Sequence, residues 1–396
     1  MKRFLVLDSF RGLCALAVVL HHSHALQSFT ELAFFKHANY LVNFFFVLSG
    51  FVLFHIYADR LQSSAQLKRF VIARICRLYP LHLAMLLIAL GLECLKMVAE
   101  QRGVSFGVGS FTGAKAPGEI LPNLLLLQSW WSGFNQMSFN FPSWSISVEF
   151  YLYLIFALVF AVLPSVSRKV FAAIAVLAFV ALHFNNVLFP EGALVGLGCF
   201  FTGALTYRLY ASFKDLQVSA PVATAMEVLS LLTVYLAVTF SSPSQNISLS
   251  LLFCAVIAVF AFESGGLSTL LRTRLFKWAG MLSFSIYMTH SIVILLLQMG
   301  VMLLGKLTGQ TLLIDMVGRE PGELVRYVNT GSTLFDNLFV VIELGSVLAV
   351  SVLTYRYIEL PGIELGKLWG RKATGHAEPA IKAETETTPI SRETAS

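Results

Sequence analysis

The stretch SWSISVEFYLYLIFALVFAVL, residues 143–163, decides the fold. It contains a single charged residue, Glu149. A hydrocarbon core about 30 Å thick takes roughly 20 apolar residues in a helix. The stretch therefore reads as a membrane span that carries a carboxylate. Such a group is costly in lipid, so it must face protein or a polar cavity.

Working outward, the same pattern recurs. Candidate spans cover 5–26, 39–57, 79–99, 143–163, 170–189, 192–210, 222–240, 246–263, 279–304 and 336–358. Only 13% of residues are charged and 57% are hydrophobic, whereas soluble domains carry about 25% charged residues. That deficit excludes a water-facing globule. The expected fold is all-α, a polytopic bundle of about ten transmembrane helices. The first run contains Arg11, His21, His22 and His24 and no small-residue cleavage site follows it, so it is a true span and not a signal peptide. The stretch 120–131 is too short to cross and should lie at the interface or re-enter the protein.

Orientation follows from the basic residues. With the N-terminus inside, inner segments up to Lys372 carry 18 Lys and Arg and outer loops 6. That bias places both termini in the cytosol. The net charge of +6 thus reflects topology, and no nucleic-acid partner is expected. The five cysteines form no CxxC pair, so neither a disulfide framework nor a metal site is expected. Two outer loops, about 100–142 and 305–335, are long enough to be binding loops. Residues 1–365 form the expected membrane domain, and 366–396 a cytosolic, disordered tail.

The polar residues inside the spans carry the chemistry. Arg11 and His22 are eleven residues apart, which returns to within about 20° of one helix face, roughly 16 Å further along. Glu149 and His22 count to a similar depth from the outer surface. A His beside a carboxylate is a general base with its tautomer fixed. Arg69, Arg74 and Arg77, with Lys68, crowd an inner loop whose guanidinium groups suit phosphate oxygens. Ser283, Tyr287 and His290 form a stripe at i, i+4, i+7. Glu343 sits mid-span and should not face lipid. A proton-coupled transporter of a polar substrate is the rival explanation for these residues, although paired halves, usual in transporters, are not visible.

Six motifs in order resemble the membrane acyltransferase-3 family. They are Leu7-Asp8-Ser9-Phe10-Arg11-Gly12 with His22; Phe45-Phe46-Val47-Leu48-Ser49-Gly50-Phe51; Arg74-Ile75-Cys76-Arg77-Leu78-Tyr79-Pro80; Trp144-Ser145-Ile146-Ser147-Val148-Glu149; Ser283-Phe284-Ser285-Ile286-Tyr287-Met288-Thr289-His290; and Tyr355-Arg356-Tyr357-Ile358-Glu359-Leu360-Pro361. Ser9 stands where the family often has Gly. The resemblance covers about 1–365. It implies an enzyme of a cell membrane, the bacterial inner membrane, that O-acylates a glycan or glycolipid acceptor. It further implies acyl-CoA, foremost acetyl-CoA, as donor. His22, Arg11 and Glu149 are then the catalytic candidates. Arg69, Arg74 and Arg77 are candidates for the CoA phosphates, and Tyr287 and His290 for the donor channel. The expected partners are the bilayer, acyl-CoA and the acceptor. The GxSxG match Gly103-Val104-Ser105-Phe106-Gly107 falls in the long loop 100–142 and follows no strand, so it does not read as a nucleophile elbow, which favours direct attack or a transient acyl-His over an acyl-Ser.

Overall fold

The computed structural model describes residues 2–61, 63–184, 188–240, 246–317 and 324–374. The apolar runs form helices α1 Leu5–His22, α2 Leu41–Tyr57, α3 Ser64–Gln101, α4 Ser143–Val162, α5 Ser167–His183, α6 Glu191–Phe213, α7 Ala220–Thr239, α8 Asn246–Ala261, α9 Arg274–Thr308 and α10 Thr333–Thr354. A π-helical turn, Tyr355–Glu359, leads into α11, Leu360–Thr374. Among the described residues, nine helices are long and apolar enough to cross a membrane. The shorter α8 occupies the place of the expected eighth span. Leu95, Leu177 and Phe240 are 67–75% exposed, as side chains facing lipid tails should be. The chain is an integral membrane protein.

Three boundaries differ from expectation. First, α3 starts at Ser64, so the cationic stretch 68–77 is helix and not loop. Ser63 caps it by accepting from the Gln66 amide, and the Gln66 side chain accepts from the Ser63 amide. Pro80 lies inside the helix, as membrane helices tolerate. Second, helix continues past residue 365 to Thr374. Gly362, Gly366 and Gly370 let α11 lie on α3; a Cβ at Gly362 would come within 2.5 Å of the Cys76 carbonyl oxygen. The remainder of the expected tail, from residue 375, lies outside the described residues. Third, the outer segment 305–335 holds an antiparallel hairpin, β1 Leu313–Val317 with β2 Leu324–Val328, so the fold is not purely helical. Val328 also pairs with Ala25, and its amide donates to the His24 carbonyl at 2.9 Å. The hairpin is thereby anchored to the chain just beyond α1.

Small residues set the tightest helix contacts. A Cβ at Gly12 would lie 2.4 Å from the Ala279 carbonyl carbon, and one at Gly280 2.2 Å from the Asp8 carbonyl oxygen. Lipid gives helices no hydrophobic reason to associate, so close backbone packing takes that role. Gly50 and Gly203 do the same between α2 and α6, meeting the Phe200 and Val47 carbonyls. Phe46, Phe51, Phe156, Phe171, Phe200, Phe253 and Phe260 fill the interior. The stretch 120–131 re-enters the protein: Leu126, Gln128 and Ser129 are buried. Ser147 donates to the Leu126 carbonyl at 2.6 Å, and the Trp130 indole to the Ser147 carbonyl at 3.0 Å. Glu343 is 1% exposed and has Ser23 as its polar neighbour, so it avoids lipid as anticipated.

Candidate active site

The α1–α9 seam fixes the site. The two helices run side by side in the same direction, because Gly12 meets Ala279–Gly280 near one end and His22 meets His290 near the other. A polar column follows the seam between them and α4.

The middle of the column is a cavity of about 40 Å³, lined among others by Arg11, Ser145, Glu149, Ser283 and Tyr287. That volume holds one or a few waters. Ser49 on α2 donates to Glu149 Oε1 at 2.8 Å, and the Tyr153 hydroxyl donates to the same oxygen. Oε2 makes no hydrogen bond among the described residues. The Ser145 and Tyr287 hydroxyls are 2.9 Å apart, and Ser145 Oγ also lies 3.3 Å from the Pro142 carbonyl oxygen.

The end of the column that the charge bias assigns to the outside holds a pair of histidines. The His22 and His290 ring centroids are 5.1 Å apart, and Phe141 lies against them at 4.6 and 5.6 Å. His22 Nδ1 meets the Val18 carbonyl at 2.9 Å, and His290 Nδ1 meets the Tyr287 carbonyl at 2.7 Å. A carbonyl can only accept, so both Nδ1 atoms carry protons. In the neutral rings each Nε2 is then the lone-pair atom. Just before α4, Asn140 ties that helix to α9: it donates to the Met288 carbonyl at 3.1 Å and accepts from Ser291.

The end that the charge bias assigns to the cytosol is cationic and aromatic. The Arg74 guanidinium lies 5.6, 5.4 and 5.5 Å from the rings of Tyr57, Phe70 and Tyr153, and donates to the Tyr57 hydroxyl at 3.2 Å. Glu359, 3% exposed, accepts from Ser285 at 2.7 Å and has Arg77 and Arg11 as charged neighbours. Among the described residues no cluster of three or more metal-ligating side chains occurs.

Comparison with known proteins fits this arrangement. Residues 4–356 match the acyltransferase-domain family, nearly the whole chain. The chain belongs to the acyltransferase-3 family. It is 31% identical over 201 residues to acyltransferase MdmB of Streptomyces mycarofaciens, covering 47% of this chain and 48% of MdmB. It is 43% identical over 97 residues to protein 2 in the picA locus of Rhizobium radiobacter, covering 24% of this chain and 48% of that protein. The chain spans about half the length of these curated relatives. No solved structure matches it.

In this acyltransferase-3 member, Arg11, Glu149 and Tyr287 converge on one cavity. The expected His22–Glu149 pair does not form. The apolar run continues to Leu26, but α1 stops at His22, so His22 sits at the helix end and not a turn or more inside. Glu149 lies about 6 Å deeper than Ser145, by the rise of one helical turn, and bonds Ser49 and Tyr153 instead. His290, expected in the donor channel, stands with His22 at the outer end. Arg74 is boxed by rings, Arg77 faces Glu359, and Arg69 is exposed beneath α11, where a Cβ at Gly370 would touch its Cγ at 3.0 Å. Tyr153, Phe141 and Asn140 were not singled out from the sequence. Tyr153 alone left a readable signal, its i+4 spacing from Glu149.

Proposed function

We propose that the protein transfers an acyl group, acetyl foremost, from acyl-CoA on the cytosolic side to a hydroxyl of an extracytoplasmic glycan or glycolipid. One observation carries this: polar residues recur along the α1–α9 seam, from the cations Arg74 and Arg77 with Glu359, through the cavity lined by Arg11, Glu149 and Tyr287, to His22 and His290, whose Nδ1 atoms are bonded to carbonyls. A donor thioester entering from the inner end places its phosphates near Arg74 and Arg77 and its carbonyl in the cavity. The acceptor hydroxyl arrives from the outer end. His22 Nε2 takes its proton as the oxygen attacks the thioester carbonyl. The Tyr287 hydroxyl, which lines the cavity, donates to the developing oxyanion. The C–S bond breaks, and the departing thiolate recovers the proton. An alcohol and a thioester thus become an ester and free CoA, with atoms balanced. Arg11 and Glu149 both line the cavity and set its charge, with the Arg11 guanidinium available to a developing oxyanion.

The test is consumption of acetyl-CoA by membranes from the protein's own cells, which supply the acceptor. Free CoA should appear only when the protein is present, and mass spectrometry should find acetylated surface glycans only in cells that make it. A transporter using the same His and Glu would release no CoA. Membranes with and without the protein that yield equal CoA would overturn the proposal.

A further inference from the structure

Tyr153 is one turn from Glu149 on α4 and 4% exposed. Its hydroxyl donates to Glu149 Oε1, while its ring face lies 5.5 Å from the Arg74 guanidinium carbon. One buried side chain therefore touches both the cavity carboxylate and a cation of the inner end. Each contact is shaped by its neighbours. Ser49 also donates to Oε1 at 2.8 Å, so two donors converge on one oxygen and turn Oε2 over to the cavity. Tyr57 and Phe70 complete the box around Arg74. Rings hold a guanidinium by its faces and leave its edge for hydrogen bonds. One edge donor, Nη2, reaches Tyr57. Another, Nε–H, is buried without an acceptor, which is costly until one arrives.

We propose that Tyr153 is a positioning residue that couples donor binding to the cavity: its ring orients Arg74 toward the phosphates of the donor, and its hydroxyl fixes the carboxylate of Glu149. This rests on the acyl-CoA reading given above. The two contacts use different parts of one side chain, so substitution separates them. Tyr153→Phe keeps the ring and removes the hydroxyl. Tyr153→Leu removes both.

The experiment measures CoA affinity of the purified full chain by calorimetry, and release of free CoA from acetyl-CoA in membranes matched for folded protein. Tyr153→Phe should bind CoA within about twofold of the wild type and turn over about tenfold more slowly or worse, the scale of a lost hydrogen bond to a charged group. Tyr153→Leu should show the same loss of turnover and, in addition, an affinity loss of about threefold or more. A purely structural Tyr153 would lower the melting temperature of both variants and leave both constants unchanged per folded molecule. That result overturns the coupling, as does equal CoA affinity in the Phe and Leu variants. A wild-type protein that binds no CoA would defeat the donor assignment itself and the coupling with it, which distinguishes the two failures.

Discussion

The two ends of the polar column are built in opposite ways. At the inner end Arg74 is surrounded by three rings and keeps an edge donor, Nε–H, buried without an acceptor. At the outer end His22 and His290 are gripped at Nδ1 by backbone carbonyls, and each presents a lone pair at Nε2. A permanent cation with spare donors is suited to bind an anion, and it does so through geometry and charge without changing state. A neutral imidazole with a spare lone pair is suited to move a proton. The atoms left without partners separate binding from chemistry.

The sharpest way to break that comparison is at the outer end. His22→Ala should lower turnover by about 10²–10⁴-fold, the range of a positioned general base, with CoA affinity unchanged. Calorimetry beside CoA release in matched membranes checks both halves. Near-normal turnover would make His22 structural and move the base to His290.

At the inner end the expected effect is smaller and falls on the other constant. Arg77→Ala should weaken CoA binding by about 1.5–3 kcal/mol, the value of hydrogen bonds to a charged group, and leave turnover at saturating donor nearly intact. A change in turnover alone would place Arg77 in the chemistry and erase the division between the ends.

The seam that aligns the ends can be tested through stability. Gly280→Val should destabilise the protein by about 1–3 kcal/mol, as overpacking does, because its Cβ would meet the Asp8 carbonyl oxygen at 2.2 Å. Thermal unfolding in detergent measures this. An unshifted transition would show that α1 and α9 slide freely and that the His22–His290 distance is not held by the seam.

The smallest effect is expected at His24, whose ring lies 4.9 Å from Tyr327 on the hairpin, away from the column. His24→Ala should keep turnover within about threefold, since a weak ring contact of this kind is worth about 0.5–1.5 kcal/mol and none of it is spent on the reaction. A loss approaching that of His22→Ala would extend the outer site into the hairpin.

Much of the fold was legible because lipid imposes a simple rule. A run such as 143–163 must cross as a helix, since no other local structure satisfies its backbone in hydrocarbon. The nine span-length helices and α8 fall where the apolar runs predicted. The helix start at Ser64 was not legible, because the expected span began at residue 79 and the cationic turns before it, which the Ser63 cap opens, are too polar to read as membrane helix. The glycine stripe 362, 366, 370 was visible in the sequence, but its partner α3 was not.

Sequence by itself determined which residue types are buried in the membrane: a guanidinium at Arg11, imidazoles at His22 and His290, a carboxylate at Glu149. Charge in hydrocarbon is costly wherever it occurs, so its presence needs no coordinates to be informative. Only the tertiary structure decided who meets whom. Depth counted along one helix fixes a height but not a facing direction, so Glu149 turns to Ser49 and Tyr153 while His22 turns to His290. Those azimuths depend on how closely Gly12 and Gly280 let two backbones approach, a distance that no single helix contains.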